Sequence, residues 1–102
     1  MKLWVDDVRP APVGYFWCKS VNEAKNWIEA SEVHLSALAT IELIDIDHDA
    51  GDFAYDGGDY IKLLDWLEET GRRIPIRIHS MNPVGRENMR RIIQKNGWRE
   101  VQ

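Results

Sequence analysis

Three short stretches gather the residues able to do chemistry. Asp6 and Asp7 close the apolar run Leu3-Trp4-Val5. Asp47, His48 and Asp49 close Leu43-Ile44-Asp45-Ile46. His79 and Ser80 close Pro75-Ile76-Arg77-Ile78. Carboxylates are hard oxygen donors of the kind Mg²⁺ takes, one or two at a time, with water and phosphate oxygens completing its shell. Asp6, Asp7, Asp47 and Asp49 offer such donors from two places, and Asp6, Asp7 and Asp47 are the expected metal ligands. A single pair of acids more often caps loop amides; two clusters that each end an apolar run point to a site. Histidine changes charge near neutrality. Of His48 and His79, one could therefore take a proton while the other gives one.

The stretch Ser80-Met81-Asn82-Pro83-Val84-Gly85-Arg86 is the expected anion site. A helix N-terminus offers unpaired N–H groups and a positive dipole. Gly85 would let a ligand approach the backbone, and Arg86 could fork onto phosphate oxygens. Ordinary helix capping explains Asn82 and Pro83 but not Arg86.

Such residues need elements that bring them to one place. Residues 2–6, 15–18, 41–47, 75–79 and 98–101 read as strands, being β-branched, aromatic and apolar. Side chains alternate along a strand, so Asp47 and Asp49 would point one way and His48 the other, with Asp45 on the face of Asp47. The direction of residues 15–18 stays open, because the Pro-rich loop Val8–Gly14 is short for a parallel crossover. Ser20 and Glu23 have capping-box spacing for a helix to about Ala30. Asp59 is placed to cap a helix to about Thr70, with Ile61, Leu64 and Leu67 inward and Gly71 closing it. Asn82 and Pro83 open a third helix that places Val84, Met89, Ile92 and Ile93 on the sheet and ends at Gly97. Residues 31–40 read as a connector; His34 lies in it and gets no role. Strands followed by helices, with polar residues at strand ends, predict a three-layer α/β sandwich with one site at the carboxyl edge of a mainly parallel sheet of about five strands.

The 102 residues suit a single domain, 1–102, and five Trp with 44% hydrophobic residues argue against disorder. No run reaches membrane-spanning length and no signal-peptide core opens the chain. One cysteine, Cys18, fits a reducing, cytoplasmic setting as a small buried residue. The net charge of -4 divides into -10 over residues 1–71 and +6 over residues 72–102. An acidic chain is a poor non-specific binder of nucleic acid. A basic C-terminal face could still hold a phosphate, or could simply be the solvated side of the last helix.

The stretches Leu3 to Pro12, Asp47-His48-Asp49 with Gly51, and His79 to Arg86 with Met89 resemble the cyclic-phosphate processing receiver domains. Asp45 and Ala50 depart from that family's pattern. The resemblance implies a receiver-like, flavodoxin-like fold in which a Pro-rich loop replaces the first helix. It also implies processing or sensing of 2′,3′-cyclic phosphates on RNA ends. Two-component receivers are more distantly similar: Asp6, Asp7 and Asp47 match their Mg²⁺ and phospho-acceptor positions, and Ser80 their hydroxyl. Their lysine after the last strand is absent, since Trp98 to Gln102 contains none.

The expected function is hydrolysis of a terminal 2′,3′-cyclic phosphate on RNA or a nucleotide. Asp47, His48, Asp49 and His79 would be catalytic. Arg9, Ser80, Asn82, Gly85 and Arg86 would hold the phosphate, and Asp6, Asp7 and Asp47 would hold Mg²⁺. The expected partner is an RNA end or nucleotide bearing the cyclic phosphate, with no membrane. The rival readings are a non-catalytic phosphate-sensing module and a phospho-accepting switch.

Overall fold

A computed structural model describes residues 1–33 and 40–102, so most of the expected 31–40 connector, His34 included, lies outside the described residues. The strands are β1 (Lys2–Val5), β2 (Tyr15–Cys18), β3 (Leu43–Ile46) and β4 (Ile76–Ile78); the helices are α1 (Val21–Val33), α2 (Ile61–Glu69) and α3 (Pro83–Asn96). The sheet order is β2-β1-β3-β4, with every pairing parallel. This is the α/β, receiver-like class expected. The strand count differs slightly. Past Trp98 the chain makes a single parallel bridge, Ile76 to Glu100, where a fifth strand would run.

Residues 15–18 run parallel to β1, and loop 6–14 makes the crossover without a helix. The loop turns sharply because Asp6 Oδ1 accepts from the amides of Val8 (2.9 Å) and Arg9 (2.8 Å). It turns again where Tyr15 N donates to Pro12 O across Gly14, whose φ of 89° suits glycine.

Handedness decides the layers. The step from β1 to β2 goes one way across the sheet, and the later connections go the other way. Right-handed crossovers then put all three helices on one face and loop 6–14 on the other. Side-chain burial agrees. One core cluster joins Leu3, Val5, Ile44, Ile46, Ile76 and Ile78 to buried residues of all three helices. The alternate positions Trp4, Asp45 and Arg77 face the loop side, where Trp4 Nε1 donates to Arg9 O at 2.8 Å. The third layer, among the described residues, is therefore loop and aromatic side chain.

The helices differ from expectation in detail. At α1, Glu23 N donates to Ser20 Oγ (3.0 Å), but the Glu23 carboxylate accepts from Lys19 N, one residue earlier than a capping box has it. The helix runs on to Val33. Asp59 does not cap α2. Its carboxylate accepts from Ala50 N (3.1 Å), closing the loop that leaves β3, and Tyr60 holds the cap position without a side-chain bond to the helix, its hydroxyl donating instead to Lys19 O. Leu63 joins Leu64 and Leu67 in the buried stripe, while Ile61 is only partly buried. At α3, Asn82 and Pro83 act as expected, with Asn82 Oδ1 accepting from Gly85 N (3.0 Å). Val84 faces solvent at 71% exposure, because the core-facing stripe is Gly85, Met89 and Ile93, four residues apart, and Val84 lies one residue off it. No helix among the described residues is long and apolar enough to cross a membrane.

Candidate functional site

The site follows from register. Val5, Ile46 and Ile78 are aligned across β1, β3 and β4. Asp6, Asp47 and His79 are therefore the next row, just past the carboxyl ends. The ladder continues into that row: Asp47 N donates to Val5 O and His79 N to Ile46 O, both at 2.9 Å. Strand order reverses at β1 and β3, the place where open parallel sheets bind ligands.

The row two residues earlier, Trp4, Asp45 and Arg77, lies on the same face by alternation and supports it. His79 Nδ1 meets Asp45 Oδ1 at 2.7 Å, and His79 Nε2 meets Asp6 Oδ2 at 2.9 Å. Asp45 and Asp6 are fully buried, and Arg77 reaches the other Asp45 oxygen at 3.3 Å. The Trp4 ring stacks on His79 with centroids 3.9 Å apart and planes 3° from parallel. Two carboxylate partners on one imidazole require a proton on each ring nitrogen, or one supplied by a carboxyl. Burial works to raise the Asp6 carboxyl. The amides of Arg9 and Val8, together with His79, outweigh it and hold the group below its ordinary value. Asp7 is pushed up, by burial first and then by the charges of Asp6 and Asp47.

One donor atom each from Asp6, Asp47 and His79 lie within 4.8 Å of one another, so these three could hold a metal ion. Asp7, expected as a ligand, stands outside that group. Its carboxylate lies against Gly51, where a Cβ would collide with it and where φ is 54°. Asp47 also accepts from His48 N at 2.8 Å.

His48 leaves the row. Its Nδ1 meets Asp49 Oδ1 at 2.9 Å, and its Nε2 has no hydrogen-bond partner among the described residues. Its ring fills the space that a Cβ on Gly85 would take. The room that the sequence reading gave to a ligand at Gly85 thus belongs to His48. Arg9 and Arg86, from opposite ends of the chain, converge on one segment. Arg9 donates to His79 O (3.3 Å) and Arg86 to Ser80 O (3.0 Å). Ser80 is buried, with its hydroxyl accepting from Asn82 N at 3.0 Å, and the Asn82 carboxamide is taken by the helix cap.

The structure thus joins Asp6, Asp47 and His79 in one group and His48 with Asp49 in another. It turns Ser80 and Asn82 to capping the helix. Trp4 and Asp45 were missed. The signal was the repeated spacing Trp4-x-Asp6, Asp45-x-Asp47 and Arg77-x-His79 on neighbouring strands.

A model of the family described as the cyclic-phosphate processing receiver domain matches residues 1–95. No curated protein and no solved structure matches the chain.

Proposed function

Because this chain belongs to the cyclic-phosphate processing receiver domain family, we propose that its carboxyl-edge site hydrolyses a terminal 2′,3′-cyclic phosphate on RNA or a nucleotide. The observation that carries the reading is the His48–Asp49 pair beside the Asp6–Asp47–His79 row. Asp49 holds Nδ1 and fixes which nitrogen carries a proton, so the free Nε2 is the one able to accept a proton from water. That water oxygen would bond to phosphorus as one ribose oxygen leaves, and the proton taken by His48 would be passed on to that oxygen. Arg9 and Arg86 supply fixed positive charge beside the segment 79–80 and would meet the phosphate oxygens. Asp47 positions His48 through its amide. His79, expected as the second acid–base group, already has both nitrogens engaged and serves the row instead. The carboxylates of Asp6 and Asp47, with His79, would suit a divalent cation, and such a cation would offset the repulsion between these acids and the phosphate.

A non-catalytic sensing module is favoured by one observation: Ser80, Asn82 and His79 are satisfied inside the protein. Incubation with RNA ending in a 2′,3′-cyclic phosphate, followed by phosphorus NMR, separates the two. Wild type is expected to convert the cyclic signal to a monoester, and His48→Ala to be slower by about a hundredfold or more, the scale of one acid–base group. Binding without conversion would support the sensing module instead.

A further inference from the structure

The resemblance to receivers implies Mg²⁺, an ion of oxygen ligands, but the donor group at this edge contains an imidazole in place of a third carboxylate. We propose that the edge takes a transition-metal dication in preference to Mg²⁺, through His79 Nε2 with Asp6 and Asp47, and that Asp45 is the residue that aims His79.

Three features carry this. First, the three donors are set by the backbone. They occupy one aligned row across β1, β3 and β4, and their donor atoms lie within 4.8 Å of one another. Second, imidazole suits late first-row dications such as Fe²⁺, Co²⁺, Ni²⁺ and Zn²⁺, whereas Mg²⁺ keeps to oxygen and water. Third, His79 is held as a metal-bound histidine is held. Its remote nitrogen, Nδ1, meets a carboxylate at 2.7 Å, which fixes the tautomer and leaves Nε2 turned to Asp6, in the group that Asp47 completes. Asp45 gains its partners at a cost, since a fully buried carboxylate in mid-strand must be paired. His79 and Arg77 are those partners. Trp4 fixes the remaining freedom by stacking on the ring.

The inference concerns the ion alone, and its test uses no substrate, so its failure is separate from failure of the cyclic-phosphate reading. The metal-free full chain is titrated with Zn²⁺, Co²⁺ and Mg²⁺ by calorimetry, and the Zn²⁺-loaded wild type is examined by X-ray absorption. One Zn²⁺ or Co²⁺ per chain is expected, bound at least about tenfold more tightly than Mg²⁺, with imidazole scattering in the absorption spectrum. His48→Gln should keep that scattering and His79→Gln should lose it. Asp45→Asn should weaken Co²⁺ by about tenfold to a hundredfold, the usual effect of an outer partner, and leave Mg²⁺ binding where it was. Equal or tighter Mg²⁺ binding, an all-oxygen spectrum in wild type, or no binding of any ion would overturn the proposal and leave His79 as a structural bridge between two buried carboxylates. The wild-type spectrum decides the matter even if His79→Gln fails to fold.

Discussion

Asp45 shows how far a single residue can be read from sequence. Its face was legible, because alternation put it with Asp47, yet its partner was not. The carboxylate's neighbour is His79, two strand ends away in the chain and one hydrogen bond away in space. Alternation leaves the acid in mid-strand without a partner; only register supplies the imidazole. Gly85 shows the same limit, since its lack of a side chain makes room for His48, from another strand's loop. Cys18 is by type a small buried residue, and its environment agrees. Burial, and then the charge of Glu23, push its thiol up to about 12. A thiol held that high is uncharged at ordinary pH, and the thiolate is the reactive form. Iodoacetamide at about pH 8, near an ordinary thiol's own range, is expected to leave Cys18 of the native protein unlabelled while labelling the urea-unfolded chain. Mass spectrometry showing equal rates would contradict this burial.

Among the elements, α3 is the one whose ends were most legible. Asn82 caps it, Pro83 starts it, Gly97 stops it with a φ of 65°, and all three were legible because local chemistry decides caps. Its inward residues were read less well. Val84 sits one residue before the buried stripe Gly85, Met89 and Ile93, and so turns away from the core. Two substitutions in this first turn should separate folding from site geometry. Asn82→Ala removes the acceptor for Gly85 N and is expected to cost about 1 kcal/mol, a fall in melting temperature of about 4–8 °C. Gly85→Ala keeps the cap but forces the His48 ring aside, so its effect should appear in the His48 ring signals by NMR and in turnover. Unchanged His48 signals in Gly85→Ala would show that the ring and α3 do not meet as described. The connection between β1 and β2 was legible only in part. The prolines excluded a helix, but direction depended on how Asp6 turns the chain through two amides.

For the whole molecule, the parallel class was readable from strands that alternate with helices, and handedness then assigns the faces. The charge asymmetry was misleading on its own. Much of the basic C-terminal third is spent within the fold: Arg72 pairs with Glu32, Arg77 with Asp45, Arg90 with Glu100 and Lys95 with Glu68. Arg86 is the basic residue of that third which the fold brings beside the row, bonded there to a backbone carbonyl. The row itself has a further consequence. Asp47 N and His79 N are rungs of the same ladder that holds the sheet together. Their amide hydrogens should therefore exchange with solvent only when the sheet opens as a unit, as slowly as that of Ile44 in its centre. A dication that binds the row would then slow exchange at Asp47, His79 and Ile44 by one common factor, because occupying the site and resisting global unfolding are the same equilibrium. Site amides that exchange much faster than Ile44 would mean that the row opens locally. If they do not, this protein meets its ligand with a surface already set, and any variant of the row is at once a variant of its stability.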